Sequence, residues 1–494
     1  MGIVIKQASR AALFSYLGAA LGFLTVWYVN RNLLSPEQNG LLNLLISITI
    51  MSGSLSNLGF TGVITRMFPH FRSADKKHHG FLFYPIAVSL LGFIVFVIIY
   101  FLFADSYALR NQEKSQLLAD YLFYLLPLTF FWSIYNVFDA YSRSVYHTSA
   151  GVFIKEVLLR IMVLVGAYCY YKNWISFPQF VFVYCACFCS VGIIMGIYLW
   201  WHGEFSLKPS FVFLTPSVRK EMIYVACFSI ITGLSSLLIS TIDKIIVNDK
   251  LGLSAAGIFA IATYFGSVIH IPSRSIGRIS SSIIADAWKI NNLDLIRSIY
   301  HKTCLNQLII GSFLLIGIWA NIDSLFSLMP REYSEGKYVI LLIGLGYLID
   351  MATGANGIII ATSRYFRYDT YFMLLLVIVT VISNMILIPA MGLTGAALAS
   401  CITYLLFNLL RYFFIWNKFG FQPYDGDFIK VIAISVLAYF VAVGLPDLDN
   451  AYFDILFKGS VVTILFWFLI VYTAVSADIN TSLKILWARL RSFR

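Results

Sequence analysis

Long stretches without a charged residue alternate along the whole chain with short polar segments. Nine of these runs are about as long as a membrane-crossing α-helix, which needs roughly 20 apolar residues. They cover 11–30, 38–65, 80–104, 121–138, 173–203, 222–242, 251–273, 303–322 and 459–477, and a shorter run covers 431–446. The pattern predicts that each run forms a transmembrane helix.

One run is too long for a single span. Residues 370–410 contain no charge over 41 positions, and as one helix they would exceed the ~30 Å hydrocarbon thickness about twofold. The chain is therefore expected to fold back within this run, and the turn-forming residues Pro389 and Gly392 mark the place. This gives two spans.

Two further apolar stretches contain charges but keep the length of a span. Residues 149–171 hold Lys155, Glu156 and Arg160, and residues 338–362 hold Asp350. Counting them gives a prediction of fourteen transmembrane helices.

The composition supports a membrane protein. Hydrophobic residues make up 60% of the chain and charged residues 12%, against about 25% charged in an average soluble domain. The net charge is +11, but the basic residues are scattered through short loops, which argues against nucleic acid as a partner. The predicted fold class is an all-α polytopic membrane protein.

The distribution of Lys and Arg predicts the orientation. With the N-terminus inside, 25 of the 35 basic residues fall in inner segments and 8 in outer segments, while Arg160 and Lys458 fall within spans. Because short cytoplasmic loops carry the excess of basic residues, both termini are predicted to be cytoplasmic.

A short segment that recurs far along the chain indicates an internal duplication of the sequence. The segment Leu34–Gly40 matches Leu251–Gly257 at an offset of 217 residues, leucine on leucine and glycine on glycine. The predicted domains are a six-helix lobe at 1–212, a second six-helix lobe at 213–416, and two further helices with a basic cytoplasmic tail at 417–494. Six helices per copy make the two lobes parallel, pseudo-symmetric repeats.

Four short motifs carry a resemblance to a known family. They are Leu33–Gly40, Asn57–Arg66, the Ile242-Asp243-Lys244 triplet, and Asn384–Ala399. In order and spacing they resemble the Wzx-like polysaccharide biosynthesis proteins of the multidrug/oligosaccharidyl-lipid/polysaccharide exporter superfamily, over almost the whole chain.

The resemblance implies a V-shaped, two-lobed transporter of the multidrug-exporter (MATE-like) type in the inner membrane. It implies a flippase that moves an undecaprenyl-pyrophosphate-linked oligosaccharide to the outer leaflet by alternating access, for O-antigen, capsule or exopolysaccharide synthesis. Its expected partners are the polyprenyl-pyrophosphate-linked glycan, the lipid bilayer and other polysaccharide-assembly membrane proteins. No metal or other cofactor is expected.

Charges inside predicted spans are costly and are candidates for function. Asp139 with Arg143 and Glu156 with Arg160 are spaced i, i+4, so each pair can neutralise itself on its own helix. Such pairs are either structural or part of the functional site, and both alternatives stay open. In the functional case the cations are candidates for binding the substrate, and the carboxylates are candidates for gating or ion coupling: Arg143, Arg160 and Lys155 on the one hand, Asp139 and Glu156 on the other. Lys155 has only its neighbour Glu156, which faces elsewhere.

Arg274 and Arg278 are the strongest candidates for an anion site. On a helix they share a face and repel each other, which a pyrophosphate group would relieve. The alternative is ordinary anchoring of a span end by basic residues, and a helix break at Pro272 would separate the two side chains.

The remaining candidates are gating or ion-coupling residues. Asp243 and Lys244 are either a latch or a local exposed pair, and Asp350 is either a proton or sodium site or a bond to a neighbouring helix. His270 is expected to be a helix contact. His78 and His79 are expected to be solvated in a polar loop.

An enzyme is not expected. Membrane glycosyltransferases and polymerases usually carry a large or carboxylate-rich outer loop, and no outer segment here is long. The cysteines lie mostly in apolar runs and are interpreted as small core residues. The alternatives that remain are a lipid II flippase and an ion-coupled multidrug exporter of the same superfamily.

Overall fold

The computed structural model describes residues 10, 13–18, 20–22, 24, 25, 33–73 and 75–481, with the backbone alone at 104–115, 232, 234–237, 239, 240, 275, 278, 279 and 282. These residues contain helices, turns and loops and no β-strand. The contacts between Cα atoms divide the chain into two compact units, 1–257 and 258–494.

The first unit is built from eight α-helices after residue 33. They are α1 (Pro36–Ser56), α2 (Phe60–Phe71), α3 (Phe83–Tyr121), α4 (Leu125–Ser144), α5 (Thr148–Val152), α6 (Leu159–Tyr171), α7 (Phe177–Trp201) and α8 (Pro216–Leu251). A π-helical turn, Phe153–Leu158, joins α5 to α6. Helix α9 (Leu253–Val268) follows and runs across the boundary between the units.

The second unit continues with eight helices. They are α10 (Ile271–Lys289), α11 (Leu293–Ala320), α12 (Ile322–Ser327), α13 (Lys337–Ala352), α14 (Asn356–Thr362), α15 (Phe366–Phe419), α16 (Gly426–Val443) and α17 (Ala451–Tyr472). Its buried core joins α11 to α16 and α17 through side chains such as Ile309, Val431 and Phe466.

Local sequence sets the start of two long helices. Ser35 accepts a hydrogen bond from the N–H of Gln38 at 3.2 Å, and the Gln38 side chain accepts one from the N–H of Ser35 at 3.1 Å. Ser176 and Gln179 form the same capping box at the start of α7. Each box satisfies backbone donors that a helix start leaves unpaired.

The repeated segment Leu34–Gly40 is mostly helix, since α1 begins at Pro36. Gly40 and Gly257 both lie inside helices, α1 and α9, and these helices cross there. A Cβ on Gly40 would lie 2.0 Å from the carbonyl oxygen of Leu253. The matching glycines of the repeat therefore permit one close backbone contact.

The long run at 366–419 folds back on itself, as predicted. Within α15, Gly392 has a non-helical backbone with φ 61° and ψ −137°, a left-handed conformation that glycine adopts readily. Arg411 Nη2 contacts Asp369 Oδ1 at 2.6 Å, which places the two ends of the segment side by side. Residues 366–419 are a helical hairpin.

His78 is not solvated, contrary to the expectation from the sequence, and His79 is only partly exposed. His78 is buried, and its Nε2 lies 2.8 Å from Glu204 Oε2. The ring of His79 stacks on Phe213 with 3.6 Å between centroids. The partners stand more than 120 positions further along the chain, so local polarity did not reveal them.

Among the described residues, eight helices are long and apolar enough to cross a membrane. One of them is the hairpin 366–419, and a ninth span arises if the bent pair Arg331–Ala352 and Asn356–Thr362 counts as one. The protein is a multi-pass membrane protein. Fourteen spans and the division at 212 and 416 stay predictions.

Candidate functional site

A polar cavity of about 420 Å³ lies within the first unit. Its lining comes from α1, α2, α4, α8 and the π-helical turn. The lining residues are Ser15, Ser54, Leu55, Asn57, Gly59, Thr61, Tyr135, Asn136, Asp139, Arg143, Val152, Lys155, Glu156, Ser229, Ile230 and Gly233. Four residues predicted as site candidates, Asp139, Arg143, Lys155 and Glu156, thus meet in one cavity.

Two ion pairs neutralise most of the charge at this cavity. Arg143 Nη1 lies 3.0 Å from Asp139 Oδ2 on α4. Arg160 Nη2, on the first turn of α6, lies 2.9 Å from Oε2 of Glu156 in the π-helical turn. Both pairs have the i, i+4 geometry that the sequence predicted. Their part in function stays a prediction.

Lys155 is the one cation of the cavity lining that the described residues do not pair with a carboxylate. Its Nζ lies 5.5 Å from the centroid of the Trp132 ring, a cation–π contact. Such a contact holds the ammonium in place without neutralising its charge. The cavity therefore keeps one positive charge available to a ligand.

The π-helical turn that carries Lys155 and Glu156 was not predicted. A π turn inserts an extra residue into a helix and shifts the side chains beyond it by about 100° around the axis. Such turns are rare in proteins as a whole. Where they do occur, they are often found at functional sites. Periodicity alone showed a continuous span at 149–171, because one inserted residue hardly changes an apolar pattern.

Asn57 supplies a buried hydrogen-bond donor to the same cavity. Its side chain is 1% exposed, and its Oδ1 accepts hydrogen bonds from Ser89 Oγ at 2.8 Å and Ser133 Oγ at 2.9 Å. Its Nδ2 has no hydrogen-bond partner within the part of the chain that the structure describes. A buried N–H group without a partner is costly, and an acceptor oxygen of a ligand would satisfy it.

Gly151 brings the backbone of α5 directly against the Asp139 carboxylate. A Cβ on Gly151 would lie 1.9 Å from Asp139 Oδ1, closer than any real contact. We expect Gly151→Ala to displace the carboxylate and to lower the free energy of unfolding by about 1–3 kcal/mol. Thermal unfolding in detergent measures the change.

Gly233 provides a matched control on the same cavity. A Cβ there meets no atom within 4 Å, and alanine in a helix interior is favoured over glycine by up to about 1 kcal/mol. Gly233→Ala should therefore unfold at or above the wild-type temperature. Equal unfolding temperatures for wild type and Gly151→Ala would refute the steric constraint.

Arg274 and Arg278 both lie on α10, in the second unit. Pro272 occupies the first turn of α10 and does not interrupt it, so the two positions share one helix face. The side chain of Arg274 is exposed, while that of Arg278 lies outside the described part of the chain. Their role in binding an anion stays a prediction.

Asp243 and Lys244 lie near the end of α8, and both side chains are half-buried. They are thus less exposed than an ordinary surface pair. The structure does not place them on the cavity lining, and their role in gating stays a prediction.

Asp350 on α13 is bonded to neighbouring elements. Its Oδ2 lies 2.9 Å from His270 Nε2, and its Oδ1 accepts a hydrogen bond from Asn408 Nδ2 at 3.0 Å. The sequence marked Asp350 and His270 separately, as a lone carboxylate and as a helix contact. Nothing in the sequence joined residues 80 positions apart.

The cavity of the first unit can bind a polar or anionic group by hydrogen bonds and one ammonium charge. Among the described residues no cluster of three or more His, Cys, Asp and Glu side chains is placed to hold a metal ion.

A protein-family model matches this chain. The model of a family described as "Polysaccharide biosynthesis protein" matches residues 4–278, just over half of the chain. No curated protein sequence matches.

Solved structures resemble the whole fold at low sequence identity. The lipid II flippase MurJ in an inward closed conformation superposes with a TM-score of 0.74 at 13% identity, covering 94% of this chain and 99% of that one. A multidrug resistance MATE family transporter of the MOP superfamily, inward-facing, gives 0.62 at 14% identity, covering 83% and 97%. The predicted all-α, MATE-like fold class is confirmed.

Proposed function

The chain belongs to the polysaccharide biosynthesis protein family, and on that premise we propose that it is a flippase rather than an enzyme. Its cargo is an undecaprenyl-pyrophosphate-linked oligosaccharide, moved from the cytoplasmic to the outer leaflet of the inner membrane. The cycle is alternating access, with both termini cytoplasmic. The product feeds assembly of O-antigen, capsule or exopolysaccharide by other membrane proteins.

One observation carries the proposal. Within the membrane-spanning first unit, a cavity combines the unneutralised ammonium of Lys155 with the unpartnered Nδ2 of the buried Asn57 among the described residues. A pyrophosphate offers only acceptor oxygens and negative charge, so it satisfies both groups at once. The paired carboxylates and the amide of Asn136 remain available for hydrogen bonds with the hydroxyl groups of the sugar.

A lipid II flippase is the second candidate. The likeness to MurJ over nearly the full length of both chains favours it, and lipid II also carries a pyrophosphate, which the same groups would bind. An exporter of cationic drugs is less suited, because both carboxylates of the cavity are already paired with arginine.

The arginines of α10 extend the proposal to the second unit. We propose that Arg274 and Arg278 attract the pyrophosphate at the cytoplasmic side, since two like charges on one helix face are relieved by an anion. In cells that lack the native copy, wild-type protein should restore surface polysaccharide. The variant R274Q/R278Q should restore less than about a tenth of it, as expected when charged hydrogen bonds to cargo are lost.

Arg364 and Arg367 form a matched control in the same unit. Both are exposed, three positions apart, and each guanidinium lies over a neighbouring ring, Tyr365 or Phe366. R364Q/R367Q removes the same charge and should leave export intact. Equal export by both double variants, at matched membrane levels, would rule out a specific role for the α10 arginines.

A further inference from the structure

A turn with two exposed apolar side chains lies in the loop between α7 and α8. Residues 210–213 form a β-turn, in which the N–H of Phe213 donates to the carbonyl oxygen of Ser210 at 3.1 Å. Phe211 and Val212 occupy the two central positions and are 68% and 87% exposed. Those positions are usually held by Gly, Pro, Asn, Asp or Ser. Two large apolar side chains there indicate contact with an apolar partner outside the chain.

The turn is held in place by the loop that precedes α3. The N–H of Ser210 donates to the carbonyl oxygen of His79 at 3.0 Å, and the His79 ring stacks on Phe213 with 3.6 Å between centroids. Gly80 has a φ of 68°, and a Cβ on it would lie 1.9 Å from the carbonyl oxygen of Lys208. The turn is therefore presented outward by specific contacts between two loops of the first unit.

The turn lies close to the surface of the bilayer, because both loops adjoin helices that are long and apolar enough to cross it. Helix α7 ends at Trp201, just before the loop that carries the turn, and Trp200 and Trp201 are 72% and 83% exposed. Exposed tryptophans of this kind collect where the hydrocarbon meets the headgroups. The second loop leads directly into α3. The apolar partner nearest to the turn is therefore the bilayer itself.

Basic residues outnumber acidic ones among the exposed side chains of these segments. Over 72–82 and 202–221 the exposed basic residues are Arg72, Lys76, Lys77, Lys208, Arg219 and Lys220. The exposed acidic residues are Asp75 and Glu221, while a third carboxylate, Glu204, is buried 2.8 Å from His78 Nε2. An excess of Lys and Arg beside a membrane-spanning helix attracts anionic headgroups, and the attraction falls off within a Debye length.

We propose that residues 72–82 and 202–221 form a binding surface for anionic phospholipids of the bilayer. Phe211 and Val212 enter the headgroup region, and the basic side chains contact the phosphate groups. The alkyl stems of the lysines lie along apolar lipid while their ammonium groups stay among the headgroups. Lipid is favoured over a soluble acidic protein, because the turn lies beside the ends of two membrane-spanning helices. The proposal goes beyond the flippase function and does not depend on it.

Quenching of a label on the turn by brominated lipids measures this selectivity. A fluorescent label is attached to V212C in a cysteine-free background that retains wild-type thermal stability, and the full chain is placed in vesicles of phosphatidylcholine and phosphatidylglycerol. Bromine is carried by the anionic lipid in one sample and by the neutral lipid in the other, so charge and composition stay the same. One basic side chain near an anionic leaflet strengthens the attraction about fivefold. Averaged over the lipids around the label, brominated phosphatidylglycerol should quench at least about twofold more per molecule.

Removing charge assigns the selectivity to the basic side chains. K208Q/R219Q/K220Q removes the basic residues nearest to the turn along the chain, and most of the excess quenching by the anionic lipid should be lost. R364Q/R367Q removes two exposed cations of the second unit and should retain the excess. About 1 M salt, which shortens the Debye length to about 3 Å, should reduce the excess without any change to the basic residues. The test therefore does not rest on the folding of one variant.

A second label position is the matched control. Tyr472 is 77% exposed at the end of α17, and the sequence from 459 to 483 contains no Lys or Arg. A label at Y472C should be quenched equally by the two lipids.

The inference is overturned if the label at V212C is quenched equally by the two lipids, or by neither of them. It is also overturned if the excess persists in high salt, or in the triple variant when thermal unfolding shows that variant to be folded. No glycan enters the measurement, so its failure leaves the flippase proposal untouched.

Discussion

Replacing Lys155 with glutamine is expected to reduce export of lipid-linked glycan by about 10-fold to 100-fold. Hydrogen bonds to a charged partner contribute about 1.5–3 kcal/mol, which corresponds to that range. The effect is large because the other cation lining the cavity, Arg143, already contacts a carboxylate at 3.0 Å. Surface polysaccharide per cell, at matched membrane levels of protein, measures it.

Two control variants test whether the loss of export comes from the missing charge at this position. Lys155→Arg keeps the charge and should retain most of the export. Lys172→Gln removes an exposed lysine at the far end of α6, where it lies over Tyr168 and Tyr171, and should have no effect. If Lys155→Gln exported as much glycan as wild type, the proposal that this cavity binds the cargo would be wrong.

The second large effect concerns stability. Lys458 Nζ lies 3.0 Å from Asp454 Oδ2 on α17, with side chains only 8% and 1% exposed. Lys458→Met leaves a buried carboxylate without its cation, and such losses cost about 3–5 kcal/mol. We expect a marked fall in the thermal unfolding temperature of the purified protein.

Partial rescue distinguishes the lost charge from lost packing. Adding Asp454→Asn to Lys458→Met removes the uncompensated charge and should recover part of the stability. Lys430 pairs with Asp427 at 2.7 Å with its side chain 56% exposed, so Lys430→Met should lower the unfolding temperature far less than Lys458→Met does. Equal losses for Lys430→Met and Lys458→Met would contradict the explanation.

Features of the fold that depend on local sequence were predictable. The charge-free run at 370–410 is too long for one span and contains Gly392, so a reversal there followed from length and from glycine chemistry alone. The pairs Asp139–Arg143 and Glu156–Arg160 followed from helical spacing. The class of fold followed from composition, because only a polytopic membrane protein is so apolar.

Features that depend on distant contacts were not predictable. Asn57 stood in a motif, but its unpartnered amide appears only once Ser89 and Ser133 occupy its oxygen. His78 looked solvated until Glu204 was placed beside it. Both cases depend on tertiary packing that a single sequence does not encode at short range.

The π-helical turn shows a different limit. Its residues, Phe153–Leu158, carry no pattern that distinguishes a π-helical turn from a regular α-helical turn. The turn is nevertheless what places Lys155 on the cavity. A site whose chemistry depends on one inserted residue cannot be located by periodicity.

The most direct test of the account is translocation by the purified protein in liposomes. An undecaprenyl-pyrophosphate-linked oligosaccharide carrying a fluorescent label is placed in both leaflets, and a quencher outside the vesicle measures its movement across the bilayer. Wild-type protein is predicted to flip this lipid, and Lys155→Gln to do so at least about tenfold more slowly. Wild-type vesicles that flip it no faster than protein-free vesicles would contradict the account.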